Sequence, residues 1–117
     1  MTARRHHAGL AAEDRAARHY EALGAEILER RLRTPEGEID LIARLNGMLI
    51  FVEVKQRKRR GPDSPISPKQ WQRLGLAANF YMMHHTGMTG ATPPCRFDAA
   101  IIGADGRMEV IENARME

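Results

Sequence analysis

The sequence of 117 residues predicts one α/β domain, in which a helix, three strands, a second helix and two further strands follow one another. Three observations support this fold class. Two segments, one near the N-terminus and one in the middle of the chain, repeat apolar residues every three to four positions, as an amphipathic helix does. An Asn-Gly pair separates two alternating apolar runs, which is the strongest short-range signal of a β-hairpin. Two short apolar runs near the C-terminus are separated by Asp-Gly, a further turn signal.

The first half of the chain begins with a basic segment, residues 1–8, which we expect to be a flexible tail in front of a single domain at residues 9–117. The first helix is predicted over residues 9–23, because Gly24 is a natural helix stop. Residues 25–32 are predicted to form the first strand, which is followed by a Thr-Pro-Glu-Gly turn.

The second half of the chain contains the hairpin, the second helix and the last two strands. Ser67-Pro68 is typical of an N-cap followed by proline at the first helical position, so the second helix is predicted to run from there to about His85. The strands predicted by alternation and turn signals, including the two of the hairpin, are residues 38–45, 48–56, 97–102 and 108–111.

Composition favours a protein that works in the cytoplasm and binds a polyanion. No apolar run is long enough to span a bilayer, so no membrane partner is expected. The single cysteine, Cys95, excludes an internal disulfide and suits a reducing compartment. The net charge of +3 favours a polyanionic partner, although an arginine-rich proteome would give the same excess.

The predicted hairpin places two carboxylates side by side. If Asn46-Gly47 forms a tight loop, counting back along both strands pairs Asp40 with Glu53. The next pair on the same face is Glu38 with Lys55. Opposed residues of an antiparallel pair have Cβ atoms about 4.5–5.5 Å apart. A four-residue loop gives the same register, whereas a three-residue loop or a bulge would shift it by one.

Two carboxylates at this distance repel one another unless a cation lies between them. Oxygen ligands with no cysteine or histidine nearby suit Mg²⁺ or Mn²⁺ rather than zinc. The alternative is an exposed sheet face on which the four charged side chains form only salt bridges. The apolar residues Ile42, Leu49 and Phe51 share that face, which favours a covered site.

Asp40, followed by Glu53-Val54-Lys55 near the end of the next strand, resembles the PD-(D/E)xK nuclease signature. The whole chain resembles the bacterial YraN-like family, which is similar to the archaeal Holliday junction resolvases. The stretches that carry the resemblance are GLAAE at 9–13, GEIDLIA at 37–43, FVEVKQR at 51–57 and RFD at 96–98. The resemblance implies a restriction-endonuclease-like core, with a central mixed five-stranded sheet flanked by helices.

The resemblance also implies a role for each matching position. Asp40 and Glu53 match the acids that bind metal and act in catalysis, and Lys55 matches the catalytic lysine that orients or activates the attacking water. Glu13 matches an acid of the first helix that belongs to the metal site. Its position on the apolar stripe fits a side chain that reaches into a site, or one that snorkels at the edge of the stripe.

Side chains beside this site are expected to bind DNA. The candidates are Gln56, Arg57, Lys58, Arg59, Arg60 and Lys69. The basic ones would bind backbone phosphates without sequence readout, and a helix N-terminus at Lys69 also favours anions. Two positions depart from the family pattern: Arg31 stands where asparagine is common, and Gln70 stands where lysine is common. Both departures bear on the details of substrate contact.

The sequence therefore predicts a metal-dependent DNA endonuclease that uses Mg²⁺ or Mn²⁺ and no nucleotide cofactor. Duplex or branched DNA is the expected substrate, because few aromatic residues are available to stack on single-stranded bases. Junction cleavage requires two active sites, so a homodimer is a corollary. Two alternatives remain: a non-catalytic module of the same fold that binds DNA or a partner in repair or recombination, and a structural protein stabilised by metal.

Overall fold

The structure is a computed structural model that describes residues 2–57, 66–85 and 93–115, with the backbone alone for residues 2–10 and 85. The sequence prediction of an α/β fold in the order αβββαββ is confirmed. The elements are helix α1 (Thr2–Ala22), strands β1 (Glu26–Thr34), β2 (Gly37–Leu45) and β3 (Met48–Gln56), helix α2 (Pro68–His85), and strands β4 (Cys95–Ile102) and β5 (Met108–Ile111).

The five strands form one mixed sheet in the order β1-β2-β3-β4-β5. β3 and β4 are parallel and are connected through α2, whereas every other neighbouring pair is antiparallel. This arrangement is compatible with the restriction-endonuclease-like core that the resemblance implies. Among the described residues, no helix is long and apolar enough to cross a membrane.

The two helices cover opposite faces of the sheet. Tyr20 of α1 packs in one buried cluster with Leu41 and Val52, and Tyr81 of α2 packs in a second cluster with Phe51. The rings of Phe51 and Tyr81 meet edge to face, with centroids 6.0 Å apart. Because β3 is covered on both faces, its middle residues are all buried, which explains its continuous apolar run.

Capping interactions define the C-terminal end of α1 and the N-terminal end of α2. Gly24, at φ 96°, follows the last turn of α1, and the Ala25 N–H donates to the Tyr20 carbonyl, which is a Schellman-type end. Ser67 and Gln70 form a reciprocal capping box at the start of α2.

α1 begins at Thr2, so the segment predicted as a flexible tail is helical from there. This segment contains neither glycine nor proline, which permits the helix to extend.

The buried carboxylate of Asp98 connects β4 to α1 and to the C-terminal segment. Asp98 has no exposed surface and accepts a hydrogen bond of 2.7 Å from the Tyr20 hydroxyl. The Arg96 Nε donates to Asp98 Oδ1 at 3.1 Å, and the Asn113 backbone N–H donates to the same oxygen at 2.9 Å. The contacts hold α1, which also carries Glu13, in a fixed position against the sheet.

The β2–β3 turn has the geometry that the sequence predicts. Asn46 and Gly47 both have positive φ, at 52° and 79°, as a two-residue type I′ loop requires. Leu45 pairs with Met48, and the register continues to Ile42 opposite Phe51 and Leu41 opposite Val52. The predicted register of the hairpin is therefore confirmed over this part of the ladder.

Replacement of Gly47 by alanine should lower the free energy of unfolding by about 1 kcal/mol, because a Cβ makes the left-handed conformation unfavourable. Asn46→Gly is the matched control and should change stability by only a few tenths of a kcal/mol, since asparagine already tolerates this conformation. Urea unfolding measures both variants. Equal midpoints for Gly47→Ala and the wild type would contradict the turn geometry.

Candidate functional site

The backbone pairing of β2 with β3 stops just before Asp40 and Glu53. The last recorded pair is Leu41 with Val52, and the backbone N–H of Val54 donates to Asp40 Oδ2 at 2.8 Å. A side-chain carboxylate thus replaces the backbone acceptor that a regular ladder would supply. The predicted ladder pair of Asp40 with Glu53 is absent for this reason, because counting back from the turn assumed that the backbone pairing continued.

The two carboxylates nevertheless lie together on one side of the sheet. Asp40 and Glu53 line the same cleft, of about 200 Å³, between the sheet and α2. The two side chains are close enough for Asp40 to raise the pKa of the Glu53 carboxyl. The remaining residues that line the cleft are Glu38, Gln70, Arg73 and Leu74. The adjacency of the two acids, which the sequence predicted, is therefore found, and α2 covers the face that carries them.

Burial makes this pair of acids hold a proton. Burial is the largest of the causes that together raise the pKa of Glu53 to about 9, and the neighbouring Asp40 side chain with its negative charge acts in the same direction. The positive charge of Lys55 opposes this effect. A proton shared between two carboxylates relieves the same repulsion that a divalent cation would relieve.

The donor set fits a hard divalent cation that keeps part of its water shell. Among the described residues, no three histidine, cysteine, aspartate or glutamate side chains converge as a metal cluster. Mg²⁺ commonly binds through one or two carboxylates and completes its shell with water and substrate phosphate. Asp40 and Glu53 supply this number of ligands, whereas a structural zinc site would need four.

Glu13 approaches the acids from the opposite face of the sheet. Its side chain is only 9% exposed, and Arg31 Nη1 donates to Glu13 Oε2 at 3.3 Å. Burial raises the pKa of Glu13, Arg31 opposes the rise, and the charges of Asp40 and Glu38 add to it. Glu13 thus senses the charge of Asp40 but does not line the cleft. Its role as a metal ligand stays a prediction.

Arg31 adopts a strained backbone conformation beside the acids. It lies between the residues of β1 that pair with Ile39 and Leu41, and therefore next to Asp40, with φ at 51°. Such a conformation costs a side chain with a Cβ about 1–2 kcal/mol, and asparagine tolerates it better. The asparagine common in the family pattern thus has a backbone reason. Arg31 instead contributes a cation that also approaches Glu38, at 4.0 Å.

The basic candidates are only partly described. Lys55 lies two residues after Glu53 on the same face of β3 and is close enough to influence its pKa. The predicted ladder pair of Lys55 with Glu38 is absent, since the ladder has already opened. Gln56 and Lys69 are exposed, and the backbone N–H of Arg57 donates to a β4 carbonyl. Lys58, Arg59 and Arg60 lie outside the described residues.

Sequence analysis missed one cationic residue of the cleft. Arg73, in the second turn of α2, lines the cleft together with both acids. Nothing in its local sequence separates it from other surface arginines, because its position depends on how α2 docks on the sheet. Gln70, a departure from the family pattern, has a structural explanation: its side chain accepts a hydrogen bond in the capping box of α2.

Comparison with known proteins gives consistent matches over most of the chain. The model of the uncharacterised protein family UPF0102 matches residues 12–102. A UPF0102 protein of Azorhizobium caulinodans is 43% identical over 110 residues, which cover 93% of this chain and 82% of the relative. One from Ruegeria pomeroyi is 42% identical over 113 residues, with coverage of 95% and 89%. One from Nitrobacter winogradskyi is 46% identical over 97 residues, with coverage of 82% and 80%.

Stability without metal should fall as pH rises, because folded Glu53 keeps its proton to about 9 while its ordinary pKa is 4.5. Between these values the folded chain binds more protons than the unfolded chain, so the stabilising contribution is complete below 4.5 and is lost towards 9. Glu53→Gln, which cannot ionise, should lack this loss. The melting temperatures of the wild type and of Glu53→Gln, measured in EDTA from pH 5 to 9, test this expectation. Parallel curves of melting temperature against pH would contradict a raised pKa of Glu53.

Arg31→Ala should destabilise the fold by about 1–2 kcal/mol, because the buried Glu13 carboxylate loses its hydrogen-bond donor. Alanine also has a Cβ, so the backbone strain does not change. The neighbouring Arg30→Ala is the matched control, since Arg30 pairs with the half-exposed Asp14 and should cost at most about 1 kcal/mol. Chemical unfolding compares the two variants, and equal losses would count against a buried role for the Arg31 pair.

Proposed function

The chain belongs to the uncharacterised protein family UPF0102, and we propose that it is a cytoplasmic, metal-dependent DNA endonuclease that hydrolyses phosphodiester bonds in duplex or branched DNA. One observation carries the proposal. Asp40 and Glu53 line one cleft together, with Lys55 on the same strand face as Glu53. The resemblance of these positions to the PD-(D/E)xK signature supports the same function.

Each residue has a distinct task in this mechanism. Mg²⁺ or Mn²⁺ held by Asp40 and Glu53 would polarise the scissile phosphate and stabilise the charge that develops on the attacking and leaving oxygens. The Val54 N–H fixes the Asp40 carboxylate through Oδ2. Glu53 would have to lose its proton to solvent to hold the cation as a carboxylate. Lys55 would orient the attacking water through its ammonium group, or would accept a proton from that water as the neutral amine. A lysine can give up its proton to reach this form, whereas a guanidinium stays charged.

Binding of DNA would rest on contacts with backbone phosphates. Lys69 is exposed in the first turn of α2, where the helix dipole also attracts anions. Arg57 follows β3 directly, and the sequence continues with the basic residues Lys58, Arg59 and Arg60, which lie outside the described residues and stay candidates for phosphate contacts. Such contacts give an affinity that depends on salt and not on sequence. Cleavage of a junction would require a homodimer with two clefts.

A non-catalytic module of the same fold, which binds DNA or a partner in repair or recombination, is the second candidate. The observation that favours it is that, among the residues that the structure describes, no three histidine, cysteine, aspartate or glutamate side chains form a group that could hold a metal ion, even though Glu38 lines the same cleft as Asp40 and Glu53. This candidate requires DNA binding without strand cleavage under all metal conditions.

Junction, flap and duplex DNA, each offered with Mg²⁺ or Mn²⁺, should be cut by the wild-type protein. Asp40→Asn and Lys55→Ala should each lower the rate by about 10²-fold or more, because they remove a metal ligand and the group that handles the water proton. Asp14→Asn is the matched control, since it makes the same chemical change at a half-exposed acid of α1. It should retain the full rate.

Two other results are informative in this assay. Cleavage that survives both Asp40→Asn and Lys55→Ala would come from a contaminating nuclease and would contradict the proposal. Binding of DNA without cleavage by the wild type would favour the non-catalytic module.

A further inference from the structure

A cationic side chain forms the wall of the cleft that α2 contributes. We propose that Arg73 binds the phosphodiester group that enters the cleft beside Asp40 and Glu53, and that it is therefore a substrate-binding residue. This inference rests on the proposed function, because it assigns a contact to the DNA strand that the acids would cut. Neither the motifs of the sequence nor the positions carried over from the resemblance include Arg73.

The stem of Arg73 is held by the backbone of β2. A Cβ placed on Gly37 would lie 2.8 Å from both Cγ and Cδ of Arg73, so the side chain rests directly against the bare glycine. Gly37 has φ at 143°, a conformation that side chains with a Cβ rarely adopt. Gly37 also immediately precedes Glu38, which lines the cleft. The glycine thus lets an arginine of α2 approach the start of the strand that carries Asp40.

The guanidinium of Arg73 forms no close ion pair with the acids that line the cleft with it. Three carboxylates line the same cleft, yet within the described parts of the chain Arg73 forms no ion pair at 4.0 Å or less. Other arginines near the sheet do form such pairs, as Arg31 does with Glu13 and Arg96 with Asp98. An arginine that served to neutralise the charge of these carboxylates would lie within 4.0 Å of one of them. Within the described residues, the Arg73 guanidinium is therefore not held in a close ion pair and can donate to a ligand in the cleft.

A phosphodiester is the ligand that fits both walls of the cleft. The planar guanidinium presents paired N–H donors that match two phosphate oxygens. The acids on the sheet side repel an anion unless a cation is bound to them, so a phosphate can contact both walls only when metal is present. The cleft thus combines a cation site with a separate donor for the same phosphate group, and this geometry makes Arg73 the second point of contact.

The affinity for duplex DNA is measured in Ca²⁺ at KCl concentrations from 50 to 200 mM, and the DNA is checked for integrity after each measurement. The proteins compared are the wild type, Arg73→Gln, Arg73→Lys and Arg18→Gln. Each duplex phosphate contact contributes about 0.9 to the slope of log affinity against log salt. Arg73→Gln should lower the magnitude of the slope by about 0.9. Arg73→Lys should keep the slope. Arg18 is an exposed arginine of α1, on the other face of the sheet, and Arg18→Gln should match the wild type.

Cleavage in Mg²⁺, measured in parallel, separates the two proposals. Arg73→Gln and Arg73→Lys should both cut more slowly than the wild type, because lysine restores the charge but not the paired donors. An unchanged slope for Arg73→Gln, with a wild type that cuts DNA, would overturn the phosphate contact and leave the endonuclease intact. A lowered slope with a wild type that never cuts would support the contact and overturn the endonuclease. A wild type that binds no DNA would overturn both.

Discussion

The structure depends on the meeting of two carboxylates at the open end of a hairpin. The Asn46-Gly47 turn sets the register of β2 and β3, and the ladder runs only as far as Leu41 and Val52. Beyond that point the Asp40 carboxylate accepts the hydrogen bond of a β3 N–H. The regular pairing of the two strands ends there, and Asp40 and Glu53 line the same cleft. In the absence of a cation, the repulsion between the two acids is relieved by a proton, which burial holds on Glu53.

The two helices bring different groups to this opening from opposite faces. α1 contributes Glu13, which is buried and bound by Arg31, and α2 contributes the cleft wall that carries Arg73. The left-handed backbone conformation of Arg31 is energetically unfavourable and persists only because the surrounding structure stabilises it. Backbone strain of this kind is found at functional sites more often than elsewhere. The hydrogen bond from Tyr20 to Asp98 connects α1, which carries Glu13, to β4.

Local signals in the sequence predicted most of the fold. The Asn-Gly turn predicted the hairpin register, and Ser67-Pro68 predicted the start of α2, because each signal acts within a few residues. The opening of the ladder could not be predicted, since it depends on a side chain that competes with a backbone acceptor. Arg73 was missed for a similar reason, because its place in the cleft depends on the bare backbone of Gly37, which is distant in sequence.

The central claim is that the Asp40 and Glu53 carboxylates together form a site for a divalent cation. Anomalous diffraction from crystals of the wild-type protein soaked in Mn²⁺ tests it most directly. The account predicts a peak within ligand distance of both carboxylates, in the cleft beneath α2. A well-occupied Mn²⁺ peak elsewhere, with none between these two side chains, would contradict it.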